Sequence, residues 1–147
     1  MNSRYFKLLK LGIIPWEAFH KMKSEYNTAM AKCQKELPVI IDKADNGRFT
    51  YSAYEDIRQL TKGIIGENGL SIEQYHFQEG ERLYLMSKVQ HSGGYEEEYV
   101  SPITIDTANI GKLSKEQLVG KAITYCKRYV YCTIFGIATF ERDPDGN

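Results

Sequence analysis

The chain has 147 residues, 42% of them hydrophobic and 26% charged, which are the proportions of one globular domain with its own core and not those of a disordered or fibrous chain. Lys plus Arg and Asp plus Glu number 19 each, for a formal net charge of zero. That excludes global attraction to an anionic partner and leaves only local patches, because screening confines a surface charge to roughly 8–10 Å at physiological salt.

In chain order, MNSRYFKLLKLGII is apolar but broken by Lys7 and Lys10, with no small-residue cleavage site after it. It is expected to be a short amphipathic arm over residues 1–14, and neither a secretory leader nor one of the ~20-residue apolar runs that span a membrane. The arm packs on its own domain or on a neighbouring copy. Pro15 suits the first turn of a helix. From there Phe19, Met22, Tyr26, Ala29, Met30, Cys33 and Leu37 recur at three- and four-residue steps, so an amphipathic helix with that stripe in the core runs to just before Pro38. DKADNGRF supplies turn residues, with Asn46-Gly47 the strongest dipeptide. A second helix is predicted over 53–67, with Tyr54, Ile57, Leu60, Ile64 and Ile65 as its apolar side and Gly69 as its stop.

The period then changes. LSIEQYHF, RLYLMSKVQH and YEEEYVSPITI alternate in part and are separated by QEGE and SGG, which predicts three antiparallel strands in a meander. Arg82 and Lys88, in the second strand, read as edge cations that discourage pairing between sheets. DTANIGKLS is a loop, and Ser114 with Gln117 three residues on is a capping box for a last helix reaching about Gly136. The predicted fold class is α+β: helices packed on a three-stranded antiparallel meander, with a long C-terminal helix. One core domain is expected over 15–140, followed by an acidic tail over 141–147.

The last helix holds the chemistry. Between Lys112 and Arg128 there are five cations and one acid, Glu116, whereas acids outnumber bases from Glu73 to Glu98. At 100° per residue, Ala122, Ile123, Cys126, Tyr129, Val130, Thr133, Ile134 and Ile137 form one apolar sector. Lys121, Thr124, Tyr125, Arg128 and Tyr131 fall opposite, with Lys127 at the margin. A face that is cationic and aromatic together suits single-stranded nucleic acid, since Lys and Arg neutralise phosphates and flat rings stack on unpaired bases. Lys121, Lys127 and Arg128 are the expected phosphate contacts, with Tyr125 and Tyr131 as stacking surfaces. Lys43 and Arg48 are second-tier phosphate contacts, and Tyr51 and Tyr54 further base contacts. Tyr129 is expected in the core, and an acid of the tail, Asp143 or Asp145, competes for Arg128.

Catalysis is not expected, and neither a cofactor nor a metal is required. His20, His76 and His91 have no ligand spacing, and no nucleophile set, phosphate loop or dinucleotide fingerprint occurs. Glu141, Asp143 and Asp145 have the oxygen chemistry of a Mg²⁺ site but lack a second acid group to pair with. Cys33, Cys126 and Cys132 show no zinc spacing. Six residues along one helix put the last two about 9 Å apart, too far for a disulfide, so all three read as buried thiols of a reducing compartment.

GKAITYCKRYVYCTIFGIA and the acidic DPDGN after it resemble the signature of the Erf (essential recombination function) family of phage single-strand annealing proteins. The match falls on Gly120, Thr124, Tyr125, Arg128, Tyr129, Gly136, Ile137, Ala138, Asp143, Asp145, Gly146 and Asn147. Weaker similarity lies in IIDKADNGRFTYSAYEDI, in ENGL at Glu67–Leu70 and in HSGGYEE from His91, so the resemblance spans roughly 17–147. It implies a protein that coats single-stranded DNA as a homo-oligomeric ring or filament and anneals complementary strands without ATP. The fold it implies is akin to the Rad-type annealing mediators of eukaryotes, a small curved sheet beside a long helix. The implied setting is the cytoplasm of a bacterial host, with single-stranded DNA and a host single-strand-binding protein as partners and no membrane. Two other readings stay open: a protein-interaction module that recruits replication or recombination partners, and binding to double-stranded RNA.

Overall fold

A computed structural model describes residues 4–41, 44–45, 48–49, 53–105, 107–108 and 111–140. The described residues form four helices, α1 (Arg4–Lys10), α2 (Trp16–Glu36), α3 (Tyr54–Glu67) and α4 (Lys115–Phe135), and a meander of β4 (Leu70–Glu79), β5 (Arg82–His91) and β6 (Glu96–Pro102). Four two-residue strands complete it: β1 (Ile40–Ile41), β2 (Ala44–Asp45), β3 (Arg48–Phe49) and β7 (Thr139–Phe140). β2 and β3 pair antiparallel on either side of Asn46-Gly47, and β1 pairs parallel with β7. The predicted α+β class, with a three-stranded antiparallel sheet and a long C-terminal helix, is the fold observed.

β5 is the middle strand of its sheet, in the order β4-β5-β6. This corrects the expectation of Arg82 and Lys88 as edge cations. Lys88 stands directly opposite Glu98 of β6 and forms an ion pair with it at 3.5 Å, a cross-strand pair of the kind worth roughly 0.2–1 kcal/mol. Along β5 the side chains alternate, with Leu85, Ser87 and Val89 buried and their neighbours half-buried. The buried row faces the helices. The other face carries the Phe77–Tyr84 stack, rings 5.5 Å apart on directly paired residues.

Two apolar clusters divide the core. In the larger, Phe19, Tyr26 and Cys33 of α2 meet Ile57 and Ile65 of α3, Leu70 and Val89 of the sheet, and Tyr131 and Phe135 of α4. The smaller joins Leu85 and Ile103 to Val130, with Ala122, Ile123 and Cys126 packed against it. The α2 stripe read from the sequence lies wholly in the larger cluster. On α3 one residue is corrected: Leu60 is 59% exposed, and Thr61 takes the buried position, its hydroxyl donating to the Ile57 carbonyl at 2.7 Å. A short polar side chain fits here because the helix backbone satisfies it.

The N-terminal arm packs on its own protomer. Tyr5 stacks on the buried Tyr95 with rings 5.2 Å apart and donates its hydroxyl to the Gly94 carbonyl. Among the described residues no helix is long and apolar enough to cross a membrane.

Candidate nucleic-acid interface

α4 is closed at both ends by local sequence. Ser114 Oγ accepts from Gln117 N–H at 3.2 Å, and the Ser114 N–H donates to Gln117 Oε1 at 2.9 Å, the reciprocal pair of a capping box. At the far end Gly136 adopts φ 64°, a left-handed conformation open to glycine, and its N–H and that of Ile137 satisfy carbonyls of the last turn.

Between these caps the helix is held differently along its length. Its first half rests on the sheet and on Ile103 just beyond β6, through Ala122, Ile123 and Cys126. Its second half is gripped from two sides, by the sheet at Val130 and Ile134 and by α3 at Tyr131 and Phe135. Tyr131 is therefore 0% exposed, which corrects its assignment as a stacking surface. Its ring meets Tyr54 edge-on at 5.7 Å and lies under the Arg58 guanidinium at 5.2 Å. Its hydroxyl is 2.6 Å from Thr61 Oγ1. Because the single Thr61 proton goes to Ile57, Tyr131 is the donor of that pair. Burial pushes both Tyr131 and Tyr54 above the ordinary phenol value.

Tyr129, expected in the core, is instead 64% exposed. It stacks on Tyr125, itself 61% exposed, with ring centroids 6.4 Å apart and planes 12° from parallel. The Arg128 guanidinium lies 5.6 Å from the centre of the Tyr125 ring, a cation–π geometry. Lys121, exposed, precedes Tyr125 by one turn. Thus Lys121, Tyr125, Arg128 and Tyr129 form one outward ledge of two cations and two nearly parallel phenols. Its sequence signal was the i, i+4 step from Lys121 to Tyr125 to Tyr129, which advances only 40° per step.

A groove of about 540 Å³ continues the ledge toward the sheet edge, walled by Tyr129, Val130 and Ile134 on one side and Tyr99 and Val100 on the other, with Glu98 at its rim. Lys127 is half-buried on another side of α4, where its carbonyl accepts from Gln74 Nε2 at 3.3 Å. Tyr54 is half-buried too. It donates to Gln74 Oε1 at 2.5 Å and edges onto Tyr131, so it is a core-margin residue and not part of the ledge. Lys43 and Tyr51 lie outside the described residues, as do Glu141, Asp143 and Asp145. Arg48 enters only through the backbone of β3. Among the described residues no group of three or more His, Cys, Asp or Glu is placed to hold a metal ion. The three thiols are unpaired with one another; burial pushes Cys33 up to about 11 and raises Cys126 and Cys132, the last partly offset by the Arg128 cation.

The arrangement defines a class: an α+β domain whose long terminal helix is core on two sides and presents cations and stacked phenols on a third. A family model described as the ERF superfamily matches residues 26–147, and the chain belongs to that superfamily. Comparison with curated proteins and with solved structures returns no match. Membership gives the chain a general role in phage recombination and annealing.

Proposed function

We propose that the chain binds single-stranded DNA and anneals complementary strands, without ATP, metal or bond chemistry, as a homo-oligomeric ring or filament in the host cytoplasm. The observation that carries this reading is the exposed Tyr125–Tyr129 stack with Arg128 against it and Lys121 a turn away, in a member of the ERF superfamily. Annealing needs a strand held extended, its phosphates neutralised and its bases open. Stacking on a ring contributes roughly 1–3 kcal/mol per base whatever the sequence, and each neutralised phosphate adds counterion release. Each protomer grips a few nucleotides weakly, and repetition around the oligomer multiplies the grip through effective concentration. Zero net charge helps, since protomers assemble without strong mutual repulsion.

The test is fluorescence-monitored annealing of complementary oligonucleotides with no nucleotide and no divalent ion. Annealing faster than the spontaneous rate is expected. Lys121→Ala with Arg128→Ala should weaken strand affinity by about tenfold or more while the thermal midpoint holds. Wild-type rates equal to the spontaneous rate overturn the reading.

One observation favours a second reading, a protein-recruiting module: the groove beside β6 is walled by apolar side chains, with Val100 54% exposed. Salt separates the two. Strand affinity falls steeply as salt rises, whereas apolar docking of a host single-strand-binding protein barely responds.

A further inference from the structure

The outer face of α2 repeats the chemistry of the α4 ledge with different residues. Trp16, His20, Lys23 and Asn27 recur at steps of four, three and four, so they form one row rising about 16 Å along the helix. The indole of Trp16 is 58% exposed and stacks on the His20 ring at 5.7 Å, with planes 13° apart. Lys23 follows His20 by three residues, just as Arg128 follows Tyr125 by three. Beside the row runs a groove of about 590 Å³ whose lining adds the hydroxyls of Ser24 and Thr28.

That lining distinguishes this groove from the other two described. The groove beside β6 carries Glu98, and the one between α2 and the β5–β6 turn carries Glu25 and Glu67. The Trp16 groove has Lys23 as its charged lining residue and no carboxylate. Its apolar wall, besides Trp16, is Ala31 and the largely buried Phe19, whose ring tilts against Trp16 at 5.9 Å, and Leu11 and Ile13 lie exposed just upstream. A protein interface core favours bulky apolar and aromatic anchors with few polar groups. A flat stacked ring pair, one cation, the Ser24 hydroxyl and the Asn27 amide instead match an unpaired base and its phosphate, the Thr28 hydroxyl being engaged by the Ser24 carbonyl.

We infer that this α2 groove is a second binding surface for single-stranded nucleic acid, with Trp16 and His20 as its stacking platform and Lys23 as its phosphate contact. The inference rests on the annealing reading and extends it, because two strands must be brought together and one protomer then offers a surface for each.

Trp16 is the one tryptophan of the chain, so its emission reports this groove directly. The experiment titrates the full chain with oligothymidylate at low salt, following tryptophan emission and, separately, anisotropy of a labelled oligonucleotide. Saturable quenching of Trp16 is expected. It should persist in Lys121→Ala/Arg128→Ala, where the α4 ledge is disabled, and Lys23→Ala should lower the slope of log affinity against log salt by about 0.7 for this site. Rising anisotropy with unchanged emission overturns the inference and leaves the annealing reading standing. Absence of both signals overturns both. Emission that follows protein dilution and ignores oligonucleotide assigns the groove to contact between copies, and overturns the inference as well.

Discussion

At the residue scale, Thr61 and Tyr131 form the most constrained polar pair described. Both are fully buried, and the donor order runs from Tyr131 to Thr61 to the Ile57 carbonyl. Removing either partner is therefore not symmetric. Thr61→Val leaves a buried phenol without its acceptor, at a cost of about 1–3 kcal/mol. Tyr131→Phe loses one hydrogen bond, about 0.5–1.5 kcal/mol, because the Thr61 proton keeps its carbonyl. Denaturant unfolding of the two variants should rank them in that order, and the reverse ranking would refute the donor assignment. Tyr129 carries the opposite lesson. Face arithmetic placed it inside and Tyr131 outside because a single helix has no record of its neighbours. Once α3 packs against the second half of α4, the buried sector widens on the Tyr131 side and Tyr129 is left in solvent.

At the element scale, what was legible in the sequence was what local chemistry dictates. Pro15, the Ser114–Gln117 box and the glycines at 69 and 136 mark helix ends within a residue or so of where they fall, and the strands follow their alternation. Two features depend on distant residues and were not legible: the exposure of Leu60, and the pairing of β1 with β7, whose two residues are too short for any period; the middle position of β5 was already implied by the meander. The caps also support a prediction. Ser114→Ala should cost about 0.5–2 kcal/mol. At Gly136 a Cβ would meet only Gln34 side-chain atoms at 3.7 Å, ordinary contact, so Gly136→Ala should cost about 1–2 kcal/mol through backbone conformation alone. Asn at 136, which tolerates the left-handed region better, should recover part of that loss in the same melting experiment.

At the scale of the whole molecule, burial of neutral acids fixes the response to alkali. Cys33 holds its proton up to about pH 11 in the folded chain, and Tyr54, Tyr99 and Tyr131 are raised by burial. Groups raised in the folded state give full stability below their unfolded values and lose it as pH climbs toward the folded ones. The thermal midpoint should thus stay level to about pH 9 and decline from there through 11, and a decline beginning near neutrality would refute this. The arm makes a second whole-molecule prediction. Deleting residues 1–14 removes the ring that covers Tyr95, so the midpoint should fall. Light scattering with size exclusion should also reveal a shifted oligomer distribution, whereas an unchanged midpoint and profile would leave the arm with neither role.

The short parallel bridge between β1 and β7 has a mechanical corollary. Ile40 donates its N–H to the Ala138 carbonyl at 3.1 Å, fastening the exit of α4 to the segment just after α2 and closing α3, the meander and α4 into a single loop. Tension applied through the C-terminal end is delivered to that fastening before it reaches α4. A pull on the tail would be shared with the end of α2 before it travels along α4 to the tyrosine ledge.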